Sequence, residues 1–93
     1  MAELKYEIIR KLGVISVNKK TGWKKEFNII SWNDKKPKFD IREWGNNRDE
    51  IGKGSTFSLD EIDAIFVCFL QQERIIRRII EPGIYLSNQN DLD

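Results

Sequence analysis

The sequence has no histidine and one cysteine, and these shortages exclude most catalytic and metal-binding chemistry. Histidine is the commonest general base and metal ligand, so both roles lose their usual residue. Cys68 has neither a histidine to activate it nor a second cysteine with which to bind zinc. The carboxylates of Asp34, Asp40 and Glu43 show no catalytic pairing. The sequence therefore predicts a protein that is not an enzyme and that uses no metal, cofactor or small-molecule substrate.

Long hydrophobic runs are missing as well. No apolar stretch approaches the length of a membrane-spanning helix, and the N-terminal MAELKYEII has the pattern of a strand, not of a secretory signal. A single cysteine cannot form an intramolecular disulfide, which favours a reducing compartment. We therefore expect a cytoplasmic protein that has no membrane partner.

The net charge of +1 conceals a division between the two parts of the chain. Residues 1–57 carry 13 basic and 8 acidic residues, whereas residues 58–93 carry 3 and 7. Seven lysines fall within residues 19–38 alone. This balance is typical of a surface that binds a polyanion, although a solvated, lysine-rich hairpin has the same composition.

Four strands are predicted from runs of β-branched and aromatic residues separated by turn signals. The first has a bulge at Gly13, and Pro37 ends the turn before the third because proline cannot donate to a strand ladder. The predicted strands cover residues 6–18, 23–33, 38–44 and 54–58.

A helix is predicted to follow the fourth strand. Ser58 and Glu61 have the spacing of a capping box, in which each side chain accepts a hydrogen bond from the other residue's amide. Pro82 and the glycine after it end the helix. The chain therefore divides into one domain over residues 1–83 and a polar, acidic tail over residues 84–93.

The predicted helix is apolar around most of its circumference. At about 100° per residue, one wide face carries Leu59, Ile62, Ile65, Phe66, Phe69, Ile76 and Ile80. Cys68, Ile75 and Ile79 extend this apolar arc to the side. A helix on a four-stranded sheet needs only one buried face, so we expect the surplus to form a helix-to-helix homodimer contact. The alternative is that the first strand wraps further around the helix.

The third predicted strand alternates between two kinds of residue. Phe39 and Ile41 form the expected core face, which leaves Lys38, Arg42 and Trp44 together on the open face. Cations that follow phosphates and aromatic rings that stack on bases are the two elements of single-strand binding. The alternative is a solvated sheet face whose tryptophan packs on a neighbouring strand.

The second predicted strand allows two orientations. If Ile30 and Trp32 point to the core, then Trp23 and Lys25 share the open face, and Trp32 is structural. A one-residue slip reverses this assignment.

Lys53 lies between two glycines, so its backbone can approach a phosphate closely. The pattern is not a phosphate-binding loop, because Asn47 replaces the first glycine of that motif and Gly54 replaces its Ser/Thr. A flexible turn into the fourth strand explains the two glycines equally well.

These segments together resemble the transcriptional positive cofactor four family of single-stranded-DNA-binding proteins, and especially its short bacterial YdbC-like branch. The likeness rests on GWKKE, SWND, KFDIREW and GKG, at residues 22–26, 31–34, 38–44 and 52–54, and covers roughly residues 5–72. It implies an α+β fold: a curved, four-stranded antiparallel sheet followed by one long helix, paired through the helices into a homodimer.

The resemblance also implies largely sequence-independent binding of single-stranded DNA, with a role in transcription or DNA maintenance. By position it implies backbone contacts for Lys38 and Arg42, the aromatic that ends the strand for Trp44, the loop lysine for Lys53, and the start of strand two for Trp23 and Lys25. Ser55 and Lys35 depart from the family pattern, which has a large aliphatic and, in eukaryotic members, an aromatic there.

Two alternatives remain open at this point. One is a protein-interaction module that uses the apolar helix and the acidic tail. The other is binding of RNA, because stacking and phosphate contacts do not require a deoxyribose.

Overall fold

Four antiparallel strands follow one another in one open sheet, in the order of the sequence, and a single helix comes after them. The computed structural model describes residues 4–47 and 50–81; the predicted tail at 84–93 lies outside this part of the chain. The elements are β1 (Tyr6–Val17), β2 (Lys24–Trp32), β3 (Lys38–Trp44), β4 (Ile51–Phe57) and α1 (Leu59–Ile80). The predicted α+β class, with an antiparallel four-stranded sheet and one C-terminal helix, is confirmed.

The first strand is irregular along its whole length. Its pairing with β2 shifts register between Ile8 and Arg10, between Lys11 and Gly13, and between Val14 and Ser16. One of these three shifts lies beside Gly13, where a bulge was predicted, but Gly13 pairs with Phe27 and the extra residue is Leu12. Each bulge adds an unpaired residue and increases the local twist of the strand.

A tight turn follows β2. Asn33 and Asp34 both have positive φ angles, 51° and 62°, and the Lys35 amide donates to the Trp32 carbonyl at 2.9 Å. Two central residues with positive φ are the mark of a type I′ turn, which matches the twist of a hairpin. The turn alone would place Ile30 opposite Pro37, but β3 pairs one residue further on, with Ile30 opposite Lys38, so even-numbered residues of both strands share one face.

That shared face, the packed face, holds the most buried side chains of the sheet. Ile30 and Asp40 are 0% exposed, and Asn28 and Trp44 are 1% exposed. On the opposite face, Phe27 and Phe39 stack with ring centroids 5.7 Å apart and remain only half-buried.

The predicted faces of β3 are therefore wrong in two respects. Trp44 is buried and not on an open face, whereas Phe39 and Ile41, the expected core residues, are half-buried. Asp40 accepts hydrogen bonds from Trp32 and Arg42, and the Asn28 side-chain amide donates to Glu26, so this face can be buried although it carries charge.

The helix begins with the predicted capping box. The Ser58 amide donates to Glu61 Oε1 at 2.8 Å, and the Glu61 amide donates to Ser58 Oγ at 3.2 Å. None of the helix's residues is buried in the single chain. The chain divides into two compact units, Met1–Ile62 and Asp63–Asp93. The described residues contain no helix with the length and apolarity that crossing a membrane requires.

Candidate nucleic-acid interface

A buried carboxylate organises the centre of the packed face. Asp40 accepts hydrogen bonds at Oδ1 from Arg42 Nε (2.9 Å) and at Oδ2 from Arg42 Nη2 (3.0 Å). Trp32 Nε1 donates to the same Oδ2 at 3.2 Å. Asp40 and Arg42 are two residues apart on one strand, so their side chains share a face and the bidentate pair forms locally.

The arginine is also held from two other directions. Its Nη1 donates to the carbonyl of Gly52 on β4 at 3.2 Å, and its guanidinium carbon lies 4.8 Å from the centre of the Trp32 ring. A cation over an indole face at this distance is attracted by the ring's quadrupole. Arg42 therefore has a fixed orientation over Trp32, and its side chain retains 16% exposure.

Trp32 and Arg42 line an open cavity of about 390 Å³, which we call the basic groove. Among the residues that the structure describes, its walls contain four cations and one indole but no carboxylate. The lining residues are Leu4, Trp32, Asn33, Lys35, Lys36, Lys38, Arg42, Ile51 and Thr56. Since Asp40 beneath the surface neutralises Arg42, the three exposed lysines supply the groove's net positive charge.

Two of the six predicted binding residues, Lys38 and Arg42, lie in this groove. Trp44 does not contribute a free ring to it. The Trp44 ring is buried and packs against Tyr6 at 5.5 Å between centroids. The aromatic residue of the groove is Trp32, which was expected to be structural in one of the two orientations predicted for the second strand; Trp32 is half-buried.

The other three predicted residues lie together on a second surface. Lys25 lines one cavity with Trp23 and another with Lys53, and Glu43 lines both. The Lys53 cavity also includes Arg42, which thus borders both surfaces. The carboxylate of Glu43 makes this second surface mixed in charge, unlike the basic groove.

The glycines around Lys53 are required by packing. A β-carbon at Gly52 would lie 2.8 Å from Cζ3 of Trp23. A β-carbon at Gly54 would collide with the side chain of Arg42 and with the carbonyl oxygen of Ile41. Both glycines therefore have a structural reason. Gly52 lets β4 approach the ring of Trp23, and Gly54 lets it approach Arg42.

Sequence reasoning missed the roles of Asp40, Trp32 and the two turn lysines Lys35 and Lys36. The Asp-Ile-Arg spacing was a usable signal, because residues two apart on a strand share a face. In residues 4–47 and 50–81, no group of three histidine, cysteine or acidic residues could hold a metal ion.

The residues predicted to form the dimer contact are on α1 and face solvent in the single chain. Cys68 is exposed, Ile75 is 55% exposed, and Ile79 is 73% exposed. Seven further aliphatic or aromatic residues of the helix are at least 41% exposed, and they extend along its length: Leu59, Ile65, Phe66, Val67, Phe69, Leu70 and Ile80.

Comparison with known proteins gives one informative relationship. No known family profile matches the chain. The chain is similar to an uncharacterized protein of Treponema pallidum (strain Nichols), with 40% identity over 60 residues. The matched segment covers 64% of this chain and 69% of the Treponema protein. The chain therefore belongs to the same protein family as that Treponema protein.

Proposed function

We propose that this protein binds single-stranded DNA without catalysing a reaction, largely independently of base sequence. The basic groove is the observation that carries this proposal. It combines three exposed lysines with an indole and with an arginine fixed over that indole, and none of its described lining residues is a carboxylate. Cations that follow the phosphates, beside a ring on which bases stack, are the usual composition of a single-strand site.

The groove favours single strands over duplex for a physical reason. Base stacking on a side chain requires an unpaired base, whereas lysine contacts with phosphate are available to any strand. Stacking accepts every base, because every base has a π face, so little sequence preference is expected. Lys25 and Lys53, with Trp23 near Lys25, lie on the opposite face of the sheet from Lys38 and offer a second place for phosphates, next to the groove only at Arg42.

The assembly that we propose is a homodimer formed through α1. The helix presents large apolar side chains to solvent along its length, and a second copy would remove them from water. Two copies would also double the number of basic grooves on one particle. The lone cysteine, Cys68, agrees with a reducing, cytoplasmic location.

The same exposed helix favours a second candidate, a protein-interaction module in which another protein covers α1. In that case the protein would bind no nucleic acid at low salt. The likeness to the single-stranded-DNA-binding family described above favours the first candidate and, with it, a role in transcription or DNA maintenance in a bacterium.

The deciding experiment is a titration of the intrinsic tryptophan fluorescence with oligothymidine, with RNA and with duplex DNA of the same length. We expect saturable quenching that is strongest with the DNA single strand and that weakens as salt is added. Three lysine–phosphate contacts predict a slope of about −2 for the logarithm of affinity against the logarithm of salt concentration. Equal affinity for duplex, or affinity that salt does not change, would contradict the proposal. Tighter binding of RNA would reassign the ligand.

A further inference from the structure

Arg42 is a poor candidate for a phosphate contact although it lies in the basic groove. Its guanidinium already makes three hydrogen bonds, two to Asp40 and one to the Gly52 carbonyl. Asp40 is fully buried, so the charge of Arg42 is paired at short range in a place that water does not reach. The charge available to an incoming phosphate is therefore small, and the lysines of the groove are the stronger phosphate ligands.

The same contacts make Arg42 a good surface for a base. The bidentate pair with Asp40 fixes the plane of the guanidinium, and one side of that cation lies over the Trp32 ring. Guanidinium planes are surfaces on which unpaired bases stack in nucleic-acid complexes. Both residues line the basic groove, so a base held there can reach the stack.

We propose that Arg42, stacked on Trp32, is a subsite for one unpaired nucleobase, and that Asp40 is the positioning residue that holds its plane. This inference rests on the proposed function. It changes the role of Arg42 from a phosphate contact to a base contact, and it transfers stacking from Trp44 to the Trp32–Arg42 pair.

If the groove bound strands by charge alone, substitution of Asp40 would have the opposite effect from the one that the base subsite predicts. Removing a carboxylate from the neighbourhood of four cations raises the positive potential, so Asp40→Asn should bind every strand more tightly. If Asp40 acts by orienting Arg42, the same substitution should weaken the binding of strands that carry bases. The sign of the change thus separates the two views.

The experiment compares oligothymidine with a strand of the same length in which all bases are absent. We expect Asp40→Asn and Arg42→Lys each to weaken oligothymidine binding about tenfold, the equivalent of roughly one stacked base. Arg42→Lys should leave the affinity for the base-free strand within about twofold of the wild type, whereas Asp40→Asn, which removes the charge that neutralises Arg42, should leave that affinity unchanged or raise it. Lys38→Ala is the matched control, because a lost phosphate contact should weaken the binding of both strands by the same factor.

A double substitution tests whether Asp40 acts through Arg42. The Asp40→Asn/Arg42→Lys protein should bind oligothymidine no more weakly than Arg42→Lys alone, because each change removes the same stack. Additive losses would overturn the positioning role. If Asp40→Asn does not fold, as judged by circular dichroism, the Arg42→Lys protein provides the test. Wild-type affinity of the Arg42→Lys protein for both strands would overturn the subsite.

Binding measurements on the wild-type protein distinguish failure of this inference from failure of the proposed function. Binding of oligothymidine and of the base-free strand with equal affinity would leave phosphate binding in place and overturn the base subsite. Binding of neither strand at low salt would overturn both.

Discussion

Gly54 lies opposite Arg42 in the β3–β4 ladder, and no space for a β-carbon remains between them. The atoms that a β-carbon would meet are Cα and Cβ of Arg42 and the carbonyl oxygen of Ile41, so most of the obstacle is rigid backbone. The absence of one methyl group thus sets how closely β4 approaches the strand that carries the site. The fit of Arg42 against the backbone of β4 therefore depends on the missing β-carbon of Gly54.

We predict that Gly54→Ala lowers the free energy of unfolding by about 2 kcal/mol, because the β-carbon forces the two strands apart. Urea unfolding followed by tryptophan fluorescence measures the change. Gly13→Ala is the matched control, since a β-carbon at Gly13 meets no heavy atom within 4 Å. Equal stability of the two variants would contradict the close contact at Gly54.

We predict that Lys36→Ala/Lys38→Ala weakens the binding of oligothymidine and lowers the salt dependence. Two lost phosphate contacts reduce the slope of the logarithmic salt plot by about 1.4. The control is Lys19→Ala/Lys20→Ala, which removes the same charge from the turn at the other end of β2, outside the basic groove. If the two double variants lose affinity equally, overall charge and not the groove determines binding.

We predict that Trp44→Ala destabilises the fold by about 3–5 kcal/mol, because it empties a space that a buried indole fills. Thermal unfolding by circular dichroism measures this loss. Trp23→Ala is a suitable comparison, because Trp23 is half-buried and should lose only about 1 kcal/mol. A Trp44→Ala protein with wild-type stability but weaker binding would restore Trp44 as an exposed stacking residue.

We predict that Ile79→Glu converts the protein from a dimer to a monomer, because a charge at a helix position that becomes buried in the dimer costs several kcal/mol. Sedimentation equilibrium measures the mass over a range of protein concentrations. Arg74→Glu places the same side chain about 140° around the helix from Ile79 and should leave the dimer intact. A wild-type protein that is monomeric at all concentrations would contradict the helix-to-helix assembly.

The order and type of the elements could be predicted because each strand ends at a strong local signal. The third strand was predicted at residues 38–44, and the structure has Lys38–Trp44. The fourth was predicted too short, since its glycines have low strand propensity and the predicted residues began only at Gly54, whereas β4 begins at Ile51. Ser58 and Glu61 fixed the helix start through two local hydrogen bonds.

The identity of the packed face could not be predicted in the same way. Alternation shows which residues of one strand share a face, but the pairing of faces between strands depends on the register. Here Ile30 lies opposite Lys38, one residue beyond the register that the turn at Asn33 and Asp34 would set alone, and this shift puts Ile30 on the face of Arg42 and Trp44. Hydrophobicity alone favoured the face with Phe39 and Ile41, because it does not register that Asp40 satisfies the polar groups around it.

The candidate site was predicted only in part, because its aromatic member depends on a contact between two strands. Lys38 and Arg42 came from the strand pattern, and they lie in the basic groove. The aromatic partner was misassigned, since the choice between Trp32 and Trp44 depends on a contact between β2 and β3. The hydrogen bond from Trp32 Nε1 to Asp40 and the position of Arg42 over the Trp32 ring show which indole accompanies the arginine.

The three register shifts of β1 also affect how the protein behaves at high concentration. An edge strand with regularly spaced free amides and carbonyls is a template on which strands of other molecules can add. Each bulge interrupts that spacing, and here they recur along an edge that carries exposed Ile9, Leu12 and Ile15. The irregular edge therefore opposes the growth of the sheet into fibrils, so an apolar strand can remain at the border of a four-stranded sheet.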